Sequence, residues 1–452
     1  MATLNSCNWM SGIDGSATLD QLSIPGSHES CALYGEVASK CQNFGVLRQL
    51  MRGIRVLDVR CKYVSADDPN YFFPVHHGPD YQHSDFSTVQ KECMEFLGVY
   101  DNETILMNVQ QAESEESSAT YSAKFESLRN PFNWTEPELI PKLGDLRMKM
   151  VLIRPCRRNY TQSPSPAIAG WEWAGHGLEW NGFAVSGKSF NSIFVTQNYW
   201  HGEGGSADGD GGMGDGPGGQ GGVTGTFKGQ MVEQYLSDAA AGNVFLLDGK
   251  EPGKVYMNFL SRADTAIGDA ASDMNNRIRD FMKAQPPLAP GRGYGILPFD
   301  FVGNSGSGPG CLEDRIIGAN HFSAGNSFTY PSPEPVPASK FKVQVTFQGQ
   351  PGWLKEGSGK WAVVSNSPDD YLTLEPVPNA DPGYFQASDG YLTVNSEGQV
   401  CSWNDWNQAS TFQKEDRWLF SDDNGGALRI RNGGELWCGN QGDLVEVELV
   451  PV

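Results

Sequence analysis

The stretch RGIRVLDVR, residues 52–60, decides the fold. Ile54, Val56, Leu57 and Val59 place apolar side chains on both alternations of an extended chain, the pattern of a strand covered on both faces. Asp58 and Arg60 end the run two residues apart, so they lie on one side of it. Seven other runs, at residues 21–25, 72–76, 104–109, 149–153, 193–196, 254–260 and 294–302, are likewise rich in Val, Ile, Leu or Phe. The connections between them are long enough for helices, and eight such strands predict an α/β chain with a (β/α) barrel. Polar residues gather at the ends of the runs: His28, Asp58 with Arg60, His76 with His77, Gln110 with Gln111, Arg154, Asn198 with Tyr199, and Asp300. In a barrel those ends share one rim, the rim where active sites are built.

The chain has 452 residues, of which 54 are acidic and 33 basic, for a formal charge of −21. A barrel of ~250 residues plus a smaller partner accommodates that length. The negative excess argues against nucleic acid as a partner and against steering onto anionic membranes by long-range charge. No run approaches ~18 consecutive apolar residues, so no membrane-spanning helix is expected. The first residues, MATLNSCNWMSG, carry neither a basic region nor an apolar core of the signal-peptide kind. Nine cysteines, an odd count with no CxxC spacing, predict neither a disulfide scaffold nor a structural zinc site. Three N-x-S/T sequons, at Asn102, Asn133 and Asn159, are near the chance number. The compartment stays open between the cytoplasm and a mature secreted chain, with the secreted form favoured and peripheral membrane contact expected.

Two composition shifts divide the chain. Pro331, Pro333, Pro335 and Pro337 form an extended, semi-rigid spacer. It predicts a catalytic domain over residues 1–329, a linker over 330–340 and a second domain over 341–452. Within the first, residues 202–225 are dominated by glycine with Asp208, Asp210 and Asp215 interspersed, and read as an insertion that packs no core. The second domain repeats: Gly352-Trp353-Leu354, Gly390-Tyr391-Leu392 and Gly426-Ala427-Leu428 stand 38 and 36 residues apart. Each is followed by a glycine-bearing turn and a hydrophobic run, so a three-unit, β-trefoil-like, small all-β domain is expected. Cys401 and Cys438 read as core residues of their repeats rather than as a pair. Trp353, Tyr391, Trp403 and Trp437 read as core more readily than as platforms for a glycan, although a glycan ligand for this domain stays open.

Two histidines at strand ends carry the chemistry. A phosphodiester is cleaved without metal when one imidazole takes a proton from the attacking hydroxyl while another protonates the leaving oxygen. Histidine serves both tasks because its pKa lies near neutrality. A lone histidine at a strand end is more often structural. Two of them, His28 and His77, accompanied by Asp58, Arg60 and Asp300, favour catalysis.

The blocks SIPGSHES, RGIRVLDVR, PVHHGP, residues 255–261 and ILPFDFV resemble, in order, the X-domain pattern of bacterial-type phosphatidylinositol-specific phospholipase C. The resemblance spans about residues 20–305. It implies a distorted TIM barrel and a reaction in which the inositol 2-hydroxyl attacks its own phosphate, releasing diacylglycerol and a cyclic inositol phosphate. It implies His28 as general base, oriented by Asp300, and His77 as general acid. Glu29 falls where the pattern has aspartate and would serve the acid histidine. Arg60 resembles the arginine that stabilises charge on the phosphate, with Asp58 as its partner. Because an arginine's own charge occupies the place where calcium-dependent relatives gather carboxylates, no metal and no cofactor are expected.

The chain also departs from the pattern. A lysine near the end of the fourth strand is replaced by Asn108-Val109-Gln110-Gln111, and an aspartate before the sixth-strand tyrosine by Asn198, ahead of Tyr199. Inositol hydroxyls are neutral, so amides can still bind them. Arg154, Gln110, Asn198 and Tyr199 are the expected substrate contacts, and the head group is phosphatidylinositol or a glycosylated form of it. Trp171, Trp173, Trp180 and Trp200 read as loop aromatics that either reach a bilayer interface or pack beneath long loops. Two rival readings remain. One is a metal-dependent phosphodiesterase on the same barrel, of glycerophosphodiesterase or sphingomyelinase D type, which needs carboxylates near the first histidine. The other is a non-catalytic lipid- or glycan-binding protein, which needs a broken acid–base pair.

Overall fold

The computed structural model describes residues 3–36, 39–64, 73–112, 121, 125, 127–128, 134–135, 140–155, 171–173, 194–197, 225–243, 255–262, 266–303, 311–329, 337 and 339–452, the last apart from 379, 381–382, 388–389, 404–405, 424–425, 432–433 and 440. The chain divides into two compact units, one of Met1–Gln42 with Gln49–Pro331, the other of Asn43–Arg48 with Ser332–Val452. All but the last residue of the glycine-rich run and most of the proline spacer lie outside the described residues.

In the first unit the strands are β1 (Ser23–Ser27), β2 (Val56–Lys62), β3 (Pro74–His77), β4 (Asp80–Asp85), β5 (Thr104–Ala112), β6 (Lys149–Pro155), β7 (Trp171–Trp173), β8 (Phe194–Gln197), β9 (Val255–Asn258) and β10 (Gly295–Phe299), all but β4 and β7 overlapping the apolar runs. Hydrogen-bonded neighbours run β8-β9-β10-β1-β2-β5-β6, all parallel, with β7 and the short strand Trp134–Thr135 on the outer edge of β6. This is a curled, half-barrel sheet among the described residues. Its strands bury both alternations, as expected of parallel strands: β1, β9 and β10 are buried at every residue. Ile24, Val56, Leu106, Val151, Ile153, Val255, Met257 and Ile296 meet in one core, joined by Trp9 and Met10. Gly26 sits where three strands converge. A Cβ there would lie 2.9 Å from the Val56 Cβ and 3.4 Å from the Pro298 Cα, so the close approach of β2 and β10 to β1 requires glycine.

Two expectations are corrected. The run 72–76 is not a barrel strand: β3 pairs antiparallel with β2 through Cys61 and Val75, and with β4 through a tight hairpin. The chain between β2 and β3 is too short for the crossover of a dozen or more residues that a parallel return needs. Conversely, Trp171 and Trp173 stand on strand β7 rather than in a loop, pairing in parallel with Ile153 and Pro155.

Helices complete the crossovers. Helix α1 (Phe86–Val99) is capped by Asp85, whose carboxylate accepts from Thr88 N–H at 2.8 Å. Asn258 of β9 donates to the Val232 carbonyl of α2 (Gly225–Ala241) at 3.0 Å. Helix α3 (Ile267–Ala284) buries Ala270, Ala271, Met274, Asn275, Ile278 and Met282, one stripe at helical spacing. Helix α4 (Leu312–Gly318) follows β10.

The C-terminal part of the second unit is all-β. The three repeat signatures open three antiparallel hairpins: β11 (Gln350–Glu356) with β12 (Ala362–Ser365), β13 (Gly390–Val394) with β14 (Val400–Trp403), and β15 (Ala427–Ile430) with β16 (Leu436–Gly439). Single bridges Trp361–Cys401, Val363–Glu435 and Gln399–Trp437 link the second arms pairwise. Leu354, Leu392 and Leu428, from equivalent places, share one core with Ala362, Val400 and Leu436. Cys401 and Cys438 are buried free thiols, as are all described cysteines. The Trp353 ring carries Lys342 Nζ at 4.0 Å and the Trp437 ring carries the Arg431 guanidinium at 3.5 Å. The side chain of Trp403 lies outside the described residues.

Candidate active site

Strand register assembles the site. Phe299 of β10 stands opposite Ser27 of β1, so the next residue of each strand, Asp300 and His28, come side by side. His28 Nδ1 lies 2.8 Å from Asp300 Oδ1. The junction is clamped by Gln42, whose amide nitrogen donates to the carbonyls of His28 (2.8 Å) and Phe299 (3.0 Å). Asn275 of α3 donates to the Asp300 carbonyl at 2.8 Å.

On the other flank, β2 and β5 place Asp58 opposite Asn108 and Arg60 opposite Gln110. Both amides donate to Asp58 Oδ1, at 2.8 Å from Asn108 and 2.9 Å from Gln110. Asp58 Oδ2 accepts from the Glu29 backbone N–H at 3.2 Å and from Arg60 Nη2 at 3.3 Å. Arg60 also sets Nη1 2.6 Å from Glu29 Oε1 and Nη2 3.1 Å from His28 Nε2.

His77 is delivered by the β3–β4 hairpin. Its Nδ1 lies 2.7 Å from the Ser39 carbonyl, and its Nε2 lies 3.7 Å from Glu29 Oε1. Glu29 therefore stands between Arg60 and His77. Glu29 and Phe301, each next to a site residue, adopt left-handed backbone at φ 44° and 52°, a conformation that costs roughly 1–3 kcal/mol per residue and persists where the surroundings over-determine it.

The partners assign the tautomers. A guanidinium only donates, so His28 Nε2 presents a lone pair to Arg60 and the proton sits on Nδ1 toward Asp300. A carbonyl only accepts, so His77 carries a proton on Nδ1 and turns Nε2 toward Glu29. Burial works against a charged His28, but Asp300, by charge and hydrogen bond, outweighs it and raises its pKa, with Asp58 assisting and Arg60 opposing. Burial also opposes ionisation of Asp58, yet Arg60, His28 and the Glu29 N–H hold its pKa below the usual carboxylate value. For Arg60, burial is outweighed by Glu29 and Asp58, and its pKa rises. The outcome is a charged arginine and an ionised Asp58, with an imidazole beside them that Asp300 makes more basic.

Six of the expected site residues thus converge: His28, His77, Asp300, Glu29, Arg60 and Asp58. Gln110 joins them with its amide nitrogen engaged by Asp58. Arg154 stands on β6 with its side chain outside the described residues, and Asn198 and Tyr199 lie outside them altogether. Sequence reasoning missed Lys228. This fully buried residue near the start of α2 has its pKa pushed well down by burial, against the pull of Asp300 and with Arg262 adding to the push. It follows the glycine-rich run and belongs to no strand end, so no strand-end signal marked it.

Part of the chain is similar to known proteins. Residues 16–155 match the family model described as phosphatidylinositol-specific phospholipase C, X domain. A 1-phosphatidylinositol phosphodiesterase of Staphylococcus aureus (strain Newman) is 29% identical over 183 residues, 37% of this chain and 57% of that protein. The enzyme of the same name from Listeria monocytogenes is 28% identical over 169 residues, covering 34% of this chain and 50% of the relative. The match thus spans about half the length of these relatives. The solved phosphatidylinositol-specific phospholipase C of Listeria monocytogenes superposes with a TM-score of 0.51 at 21% identity, over 71% of this chain and all of that one. A pentafluoro-Phe-substituted Staphylococcus aureus phosphatidylinositol-specific phospholipase C gives 0.52 at 23% identity, over 70% and 98%. At such identities the likeness shows a shared barrel fold.

Proposed function

We propose that this chain is a phospholipase C that cleaves phosphatidylinositol, or glycosylated forms of it, by intramolecular attack of the inositol 2-hydroxyl on the phosphate. The products are diacylglycerol and a cyclic inositol phosphate. The observation that carries the reading is the continuous array Asp300–His28–Arg60–Glu29–His77, which offers an imidazole held by a carboxylate, a fixed cation and a second imidazole beside a carboxylate. In the reaction His28 Nε2 takes the 2-hydroxyl proton, and Asp300 stabilises the imidazolium that forms. Arg60 turns from His28 to the non-bridging oxygens, holding the charge that grows as the O2–P bond forms and the bond from phosphorus to the diacylglycerol oxygen breaks. His77, protonated at Nε2 and held by Glu29, gives its proton to that leaving oxygen. Asp58, fixed by Asn108 and Gln110, holds Arg60 from behind. No step calls for a metal.

The membrane surface is the partner in this reading. The three linked hairpins of the second unit support a β-trefoil-like module after the proline spacer. The cations seated on Trp353 and Trp437 weigh against those rings as glycan platforms.

Phosphorus NMR of the purified chain with phosphatidylinositol in detergent micelles and excess EDTA tests the reaction. A cyclic inositol phosphate signal is expected. Silence that revives on adding calcium or magnesium would sink the arginine-based mechanism and favour a metal-dependent phosphodiesterase.

A further inference from the structure

Cys41 has no part in the reaction above, yet it lies inside the site. Its sulfur is 3.7 Å from His77 Nδ1. More tellingly, Cys41 Sγ, a ring nitrogen of His28 and a carboxylate oxygen of Asp300 all lie within 4.8 Å of one another. Among the described residues no other group of His, Cys, Asp and Glu offers three such atoms. The three donors are held by backbone rather than by chance rotamers. Cys41 N–H donates to the Ala32 carbonyl at 2.9 Å, and the Cys41 carbonyl accepts from Phe301 N–H at 2.8 Å. Gln42, the next residue, clamps the His28–Phe299 junction, and its side-chain oxygen accepts from Val302 N–H at 3.1 Å. The thiol and the carboxylate are buried, and His28 is the partly exposed member through which solvent reaches them.

A thiol, an imidazole and a carboxylate make the donor set of a borderline-soft ion, not of calcium or magnesium, which require several oxygen ligands. Tetrahedral bonds of about 2.0–2.3 Å leave donor atoms ~3.3–3.8 Å apart. The present spacing reaches that by a small contraction at sulfur and by opening the His28–Asp300 hydrogen bond. We propose that His28, Cys41 and Asp300 form a binding site for Zn2+ or a similar soft divalent ion, and that such an ion inhibits the protein rather than serving it. Binding exchanges the thiol proton for the metal: the S–H bond breaks, the S–metal bond forms, and one proton leaves to solvent. The base is silenced because His28 and Asp300 are diverted to the ion. The inhibitory consequence rests on the proposed function; the binding site does not.

Cobalt tests the site without turnover. Co2+ alone, added to the purified full chain, should give a near-ultraviolet thiolate-to-cobalt band that Zn2+ displaces and Ca2+ does not. Cys41→Ser should lose that band and bind Zn2+ at least about tenfold more weakly. His28→Gln, at a partly exposed position, should weaken binding by a similar factor while keeping the band, so the outcome does not hang on the folding of one variant. The proposal is overturned by a wild-type spectrum without the thiolate band, or by wild-type Zn2+ affinity in both variants. If the cobalt band appears but phosphatidylinositol is not cleaved, the metal site stands and the assigned reaction falls. If cleavage occurs and Zn2+ leaves it unchanged, the inhibitory role falls.

Discussion

Arg55 and Arg60 stand five residues apart in one short stretch, one just ahead of β2 and one on it, and their surroundings differ in kind. Arg55 is fully buried. Its guanidinium donates to Glu103 Oε2 at 2.8 Å and to the carbonyls of Leu50, Ile54, Ser6 and Cys7 at 2.7, 2.8, 3.2 and 2.9 Å. The Phe96 ring lies 4.6 Å from it. Glu103 in turn accepts from the N–H groups of Met10 and Ser11. Arg60 keeps 26% of its side chain exposed, leaves a buried Nε without a hydrogen bond among the described residues, and leans on two carboxylates and an imidazole lone pair. A cation with every donor used is committed to structure, and one with donors to spare can turn to a substrate.

The comparison breaks first at the histidines that flank Arg60. His28→Ala and His77→Ala should each lower turnover by about 10³–10⁴-fold in an NMR or radiolabel assay, with the thermal unfolding midpoint little moved. Near-normal turnover in either would refute the two-imidazole mechanism.

The arginines themselves come next. Arg55→Met strands a buried Glu103 and should cost about 3–5 kcal/mol in urea unfolding. Arg60→Met should instead lose about 10²–10³-fold in turnover, and, because Asp58 keeps the donors Asn108, Gln110 and the Glu29 N–H, it should cost less in unfolding than Arg55→Met. If the two variants behaved alike in unfolding, the division into a structural and a working arginine would be wrong.

Two smaller effects sharpen it through pH. Glu313, fully buried, has a pKa raised to about 7 by burial and by Asp314, against its own backbone N–H, Arg52 and the Cys311 thiol. A carboxyl whose folded pKa is raised binds its proton more tightly when folded, so stability falls as pH rises from about 4.5 to about 7. Glu313→Gln should remove that loss, raising stability at pH 8 relative to pH 5 by up to ~3 kcal/mol. An unchanged pH profile would show that Glu313 is paired. In the proposed reaction His28 must be neutral to act as base, and Asp300 raises its pKa. Asp300→Asn leaves burial unopposed by that charge, so the acid limb of the kcat/KM profile should move to lower pH as the plateau falls. A limb that stays in place would assign it to another group.

Much of this was legible along the chain. The apolar runs announced the parallel strands because a strand covered on both faces cannot tolerate alternation. The polar residues at their ends announced the rim. Periodic Gly-x-Leu signatures marked the three hairpins, since each repeat buries its leucine in the same way. What escaped was what depends on pairing. The run 72–76 looks like a barrel strand, and only the length of the preceding connection turns it into a hairpin. Trp171 and Trp173 showed no strand signal, because a three-residue edge strand carries too few positions for a period.

The residue types of the site, two histidines, an arginine and three carboxylates, are a property of the sequence, since chemistry is written in side-chain identity. Their spacing to one another is not. How the partners of Arg55 and Arg60 differ, whether Asn108 and Gln110 hold Asp58, and whether Cys41 and Lys228 come near Asp300 were decided by parallel register and by helix packing. These bring together groups tens to hundreds of residues apart, and no local pattern encodes a contact whose two partners are set by different strands.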